Sequence, residues 1–253
     1  MIDTHSHMYS NEYLDIDDAL IRCKENGIEK IILVGFNNET NNQAFLDAQK
    51  YDIFYPTAGV HPDQADQNYL TKIEELKAFI KNHKIYAIGE CGLDYYWDIT
   101  YKEEQKKLFY LQCELASNLN LPIIIHSRDA ISDTFNIVKE FKGRLKGVMH
   151  CYSSSVEMAQ EFIKLGFYIS LGGPVTFKNS VTPKEVAKTI DINRLLIETD
   201  SPYLTPVPYR GKRNESSYVK YVLEEIAKLR NMDKDELDKI TTNNAMNLFN
   251  LVK

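Results

Sequence analysis

Met1-Ile2-Asp3-Thr4-His5-Ser6-His7 opens the chain, and the reading of this stretch decides the fold. In an extended strand the period of two places Asp3, His5 and His7 on one face, so two imidazoles project side by side with a carboxylate behind them. That is a metal-ligand arrangement in need of partners. A His-x-His pair also arises by chance, because short motifs have a high false-positive rate. Its weight depends on whether later segments repeat the pattern of an apolar strand ending in a ligand-type side chain.

Working outward, the chain alternates short β-branched runs with longer segments of helical period. After a helix expected at about 13–26 and stopped by Gly27 comes the strand Lys30-Ile31-Ile32-Leu33-Val34-Gly35. A helix at about 39–50 leads to a strand ending in Thr57-Ala58-Gly59-Val60-His61-Pro62, and Leu70, Ile73, Leu76 and Ile80 mark the next helix. Tyr86-Ala87-Ile88-Gly89-Glu90, Pro122-Ile123-Ile124-Ile125-His126, Lys146-Gly147-Val148-Met149-His150, Phe167-Tyr168-Ile169-Ser170-Leu171 and Leu195-Leu196-Ile197-Glu198-Thr199-Asp200 read as further strands. Helices are expected between them at about 101–119, 129–142, 156–163 and 182–190, and two more close the chain at about 214–230 and 233–249.

Eight nearly all-apolar strands separated by helices imply a parallel sheet covered on its outer side, and in 253 residues they point to an α/β fold, a (β/α)8 TIM-type barrel. A doubly wound open sheet is the rival, but eight strands are many for it and no glycine-rich phosphate loop follows the first. No Ser/Gly-rich linker, charge block or low-complexity tract divides the chain, so one domain over 1–253 is expected.

Composition is that of a globular protein, 43% hydrophobic and 26% charged. No basic region precedes an apolar run at the N-terminus and no stretch nears the ~18 apolar residues of a membrane span, so a soluble, cytoplasmic monomer without a membrane partner is expected. Cys23, Cys91, Cys113 and Cys151 form no CxxC pair, which suits a reducing compartment. The net charge of -6 gives no global field attracting nucleic acid, so a polyanion would have to be held by a local basic patch or by metal ions.

His5, His7, His61, Glu90, His126, His150 and Asp200 stand at the C-terminal ends of six expected strands, and a barrel gathers those ends on its catalytic face. Buried imidazoles and carboxylates without partners are costly, and a metal cation resolves that cost. Leaving His61 aside, four histidines and two carboxylates exceed the three protein ligands of a typical open zinc site. Two divalent ions bridged by Glu90 fit better, and imidazole-rich ligation favours zinc or manganese over magnesium. Glu198 and Asp3 are expected to orient ligands from behind. Cys91 and Cys151 directly follow ligands and should point to the opposite face.

His5-x-His7, Ala58-Gly59-Val60-His61-Pro62, Gly89-Glu90-Cys91-Gly92-Leu93-Asp94-Tyr95-Tyr96, His126-Ser127-Arg128, His150-Cys151-Tyr152-Ser153 and Glu198-Thr199-Asp200-Ser201-Pro202-Tyr203-Leu204 together resemble the TatD-type metal-dependent deoxyribonucleases. The resemblance runs from residue 1 to the terminal Asn-Ala-Met-Asn-Leu-Phe. It implies an amidohydrolase-like barrel and a DNase, often a 3′-to-5′ exonuclease. It further implies one metal among His5, His7, Glu90 and Asp200, another among Glu90, His126 and His150, and a substrate phosphate at His61. The Arg-Gly segment appears as Arg210-Gly211-Lys212-Arg213-Asn214-Glu215, with Ser216 where many members have proline; no ligand is lost by that departure.

The chemistry expected is hydrolysis of DNA phosphodiesters at a centre of two divalent ions (Mg, Mn or Zn), with Asp200 accepting or orienting the proton of the attacking water. Arg128, Lys178, Arg210, Lys212 and Arg213 are candidates for adjacent phosphates, and Tyr95, Tyr96, Trp97, Tyr203 and Tyr209 for stacking on unpaired bases, which suits single-stranded 3′ ends. The competing reading is cleavage of an ester or amide, including the ester of a D-aminoacyl-tRNA, since fold does not choose between these substrates.

Overall fold

The apolar runs become parallel strands: β1 (Ile2–Ser6), β2 (Lys30–Leu33), β3 (Phe54–Pro56), β4 (Ile88–Asp94), β5 (Ile123–Arg128), β6 (Gly147–Met149), β7 (Tyr168–Leu171) and β8 (Leu195–Ile197). Between and after them lie α1 (Ile16–Glu25), α2 (Asn38–Lys50), α3 (Tyr69–Asn82), α4 (Lys102–Leu119), α5 (Ile131–Lys139), α6 (Val156–Lys164), α7 (Thr182–Thr189), α8 (Val219–Arg230) and α9 (Lys234–Phe249). The computed structural model describes residues 1–251; the last two residues of the expected 1–253 domain lie outside the described residues. Among the described residues no helix is long and apolar enough to cross a membrane.

Hydrogen bonding runs through β1-β2-β3 and through β4 to β8 in order, and two parallel bridges join the sets, Ala58 with Ile88 and Ser6 with Ser201. The result is the α/β TIM-type barrel. Inside it, Ile2, Ile32, Ala87, Ile124, Val148 and Leu196 pack together, and Ala245, Leu248 and Phe249 of α9 plug the end where the strands begin. Alternate residues such as Ile31, Leu33, Ile125, Ile169 and Ile197 face outward into the core beneath the helices. Apart from Asp3, Thr4 and Ser170, both faces are therefore apolar up to the strand ends, and the other polar strand residues are left at the opposite mouth.

Three expected strands are trimmed at the mouth because side chains replace ladder bonds there. β3 stops at Pro56: the Asn41 amide takes both Gly59 N (3.1 Å) and Gly59 O (3.0 Å). β8 stops at Ile197: the Asp3 carboxylate accepts from Thr199 N (2.9 Å) and Thr199 Oγ1 (2.6 Å). β6 stops at Met149, and Cys151 then enters a left-handed turn at φ 43°.

Two bulges decide which side chains enter the barrel. In β1 the register jumps between Asp3 (opposite Ile31) and Ser6 (opposite Leu33), so one extra residue lies at Thr4–His5. Asp3 consequently shares the outward face of Ile31, and His5 does not share it. The expectation that Asp3 and His5 lie on one face is corrected on this point. In β4 a second extra residue lies between Ile88, opposite Ile123, and Cys91, opposite Ile125. Strict alternation would put Glu90 on the outward face of Ile88; the bulge turns it inward.

Past the bulge Gly92 pairs with His126, and a Cβ there would fall 1.9 Å from the His126 carbonyl oxygen at φ +143°. Gly92→Ala is expected to lose roughly 3 kcal/mol or more of stability, through backbone strain and separation of β4 from β5. Chemical denaturation measures this, and an unchanged midpoint would contradict the packing described.

Candidate metal centre

Glu90 is the hub. Its Oε2 lies 3.3 Å from His5 Nε2 and 3.5 Å from His7 Nε2; its Oε1 lies 2.9 Å from His150 Nε2, 3.1 Å from His126 Nδ1 and 3.7 Å from His61 Nε2. Asp200 Oδ1 closes the first side at 3.7 Å from both His5 Nε2 and His7 Nε2. Asp200 follows β8 in the left-handed region, φ 57°, which aspartate tolerates better than most residues.

The outer hydrogen bonds set the tautomers. His7 Nδ1 donates to the Val34 carbonyl at 2.9 Å, which leaves Nε2 of the neutral ring as a bare lone pair 3.1 Å from His5 Nε2. His126 Nε2 donates to Asp94 Oδ2 at 2.9 Å, so its bare Nδ1 faces Glu90 Oε1, acceptor to acceptor. Such contacts require a positive charge between them, either protons or a metal ion. His5 Nδ1, His150 Nδ1 and Glu198 Oε2 are buried without a hydrogen bond, His150 Nδ1 having only the Glu198 Oε1 carboxylate oxygen at 3.4 Å, and the His5 and His150 rings stack at 3.9 Å and 14°. Mixed nitrogen and oxygen donors of this kind suit a divalent transition cation. Three sets of ligand atoms each lie within 4.8 Å of one another: His5/His7/Asp200, His61/Glu90/His126 and His5/His150/Glu198.

Electrostatics agree with that need for charge. Burial opposes ionisation of Glu90, yet the His150 and His5 imidazoles hold its carboxyl well below its ordinary range. Burial pulls His150 down, but Glu90 and Glu198 push it well above its usual value; His5 is lowered by burial and by the His150 charge. Burial raises Asp200 in spite of the neighbouring histidines.

Six of the seven ligand-type residues expected from strand ends line one cavity of 460 Å³ at the barrel mouth, with Arg128 on its wall; His5 lies fully buried beside them. His61 and His126 are the two half-buried histidines of the site, and His61 Nδ1 lies 2.9 Å from Asp63 Oδ1. Glu198 faces inward as expected, its Oε1 accepting from Cys151 N at 2.6 Å. Asp3 instead fastens Thr199 from outside the barrel. Cys91 packs outward, but Cys151 lines the cavity, contrary to expectation, because the strand has ended before it.

Several rim candidates have other partners. Tyr95 falls on the outward parity of β4; its hydroxyl donates to Asp133 at 2.8 Å and its ring lies under Lys102, so it does not line the cavity. Arg210 sits over the Phe177 ring at 3.9 Å, away from the cavity wall. Tyr209 stacks on Tyr218 at 4.7 Å, and Arg213 pairs with Asp15. Asn214 in the same segment is a clamp, donating to Thr199 O at 2.8 Å and Tyr203 O at 2.6 Å. Asp94, the partner of His126, lies beyond the strand-end pattern that marks the other ligand-type residues, although its spacing of four from Glu90 in a strand offers a signal.

The chain matches the model of the TatD-related DNase family over residues 2–250. It is 48% identical to a Bacillus subtilis protein named as an uncharacterized metal-dependent hydrolase, YabD, over 99% of both chains. It is 33% identical to the Salmonella typhimurium 3′-5′ ssDNA/RNA exonuclease TatD over the whole of both. Among solved structures, the TatD homologue YjjV of Escherichia coli superposes with a TM-score of 0.92 at 28% identity, covering 100% of this chain and 98% of that one.

Proposed function

This chain belongs to the TatD-related DNase family, whose members include metal-dependent hydrolases, and from that premise we propose that it hydrolyses DNA phosphodiesters from single-stranded 3′ ends. The whole of 1–253 acts as one such domain. The observation that carries the reading is the Glu90 carboxylate, bracketed by histidine nitrogens on both oxygens. His5, His7 and Asp200 would hold a divalent ion on one side of it, and His126 and His150 a second on the other. Bound there, zinc, manganese or magnesium supplies an acidified water and a polarised phosphoryl group.

The protein's own groups do the rest. Asp200, at the mouth of the cavity beside His5 and His7, accepts or orients the proton of the attacking water. His61, on the cavity wall beside Glu90, donates to a non-bridging phosphate oxygen. Val34 and Asp94 fix the ring orientations of His7 and His126. Asp94→Asn is a sharp test of that last role. One amide oxygen cannot serve both Tyr96 N and His126 Nε2, as the two carboxylate oxygens now do. Manganese affinity by calorimetric titration is expected to fall about 10- to 100-fold with the fold intact; unchanged affinity would remove Asp94 from the account.

The reading is tested with 5′- and 3′-labelled single-stranded DNA in the presence of manganese. A 5′-labelled oligonucleotide should shorten stepwise from its 3′ end, and a chelator should stop the reaction. Inert DNA together with turnover of an aminoacyl ester would transfer the site to the deacylase reading.

A further inference from the structure

The lip of the cavity carries a feature the proposed ligands do not use. Arg128, two residues beyond His126 on β5, lays its guanidinium over the Tyr96 ring, 3.7 Å from the centroid, with the Trp97 centroid at 5.3 Å. The two rings meet edge to face at 4.9 Å and 89° and remain 54% and 76% exposed. Among the described residues Arg128 makes no ion pair, whereas Arg213 is paired with Asp15 and Lys106 with Asp133. On the other wall Tyr203 is 62% exposed. An unpaired cation and largely exposed aromatic rings at the edge of the cavity mark a binding surface for a ligand that is both anionic and planar.

We propose that Tyr96, Trp97 and Arg128 form a platform for one unpaired base and its phosphate, next to the scissile bond, and that this platform imposes the requirement for a single-stranded end. The inference rests on the phosphodiesterase reading above. Arg128 lies two residue steps beyond His126, about 6.6 Å along β5, which is the reach of one nucleotide rather than of the reacting phosphate itself. The net charge of -6 gives a DNA strand no general attraction, so affinity has to come from local contacts. Aromatic stacking supplies such contacts only to bases that are not already stacked inside a duplex.

Trp97 is the only tryptophan of the chain, so its fluorescence reports on the platform directly. The full-length protein with manganese is titrated with phosphorothioate-linked oligothymidylate, following tryptophan fluorescence and the anisotropy of a dye on the DNA. Saturable quenching is expected with single strands and with a duplex bearing a 3′ overhang, and none with a blunt duplex. Tyr96→Ala should raise the Kd roughly tenfold, and Tyr96→Phe should restore it. If anisotropy shows binding while the fluorescence stays constant, or Tyr96→Ala binds like wild type, the platform is refuted. Wild-type protein that still shortens ordinary oligothymidylate leaves the phosphodiesterase reading standing in that event. Protein that neither binds nor shortens DNA overturns both.

Discussion

Glu90→Gln should lower kcat/KM by about a thousandfold or more, equivalent to roughly 4 kcal/mol of transition-state stabilisation, while the circular dichroism spectrum stays that of the wild type. The substitution keeps the shape and removes the charge. Each oxygen of Glu90 now faces two or more imidazole nitrogens, and a neutral amide would turn an N–H₂ toward one side of the centre. Both proposed ion sites lose their shared carboxylate, so the defect should persist at saturating manganese. Full recovery of turnover with excess metal would show that Glu90 only tunes affinity.

Asp200→Asn should cost about 10²- to 10⁴-fold in kcat with a smaller change in KM, the range expected when a positioned proton acceptor is lost. Asparagine is the appropriate replacement because it also accepts the left-handed backbone at this position, so the loop after β8 is preserved. Asp200 Oδ1 stands 3.7 Å from both His5 and His7 Nε2, so some metal affinity will be lost as well. Steady-state kinetics at saturating metal separate the two roles: a defect confined to metal affinity would assign Asp200 to ligation alone.

The barrel was legible because eight short apolar runs, regularly spaced by helices, have few other ways to bury both faces. The gathering of ligand-type side chains followed from it, since parallel strands end at one mouth. The two bulges were not legible. An extra residue at Thr4–His5 or near Gly89–Glu90 leaves no mark in a hydrophobic pattern, yet each reverses which side chains point inward. That is why Asp3 was expected beside His5 and lies outside the barrel. Tyr95 was a rim candidate only as an aromatic near the barrel mouth; five residues beyond the inward Glu90 it falls on the outward face and packs against Asp133 and Lys102. Asp94 is hidden for a different reason: the apolar run ends at Glu90, but pairing with β5 carries β4 on to Asp94 opposite Arg128. Strand-end trimming by Asn41 and Asp3 depends on contacts between residues 18 and 196 apart, which a local pattern does not encode.

The central claim is that Glu90 is shared by two cation sites. Anomalous diffraction from crystals soaked in manganese reads this directly. The account predicts two peaks, one between Glu90 and the His5–His7–Asp200 group and one between Glu90 and the His126–His150 group, with both lost in Glu90→Gln. A single peak, or any peaks that persist unchanged in that variant, would contradict it.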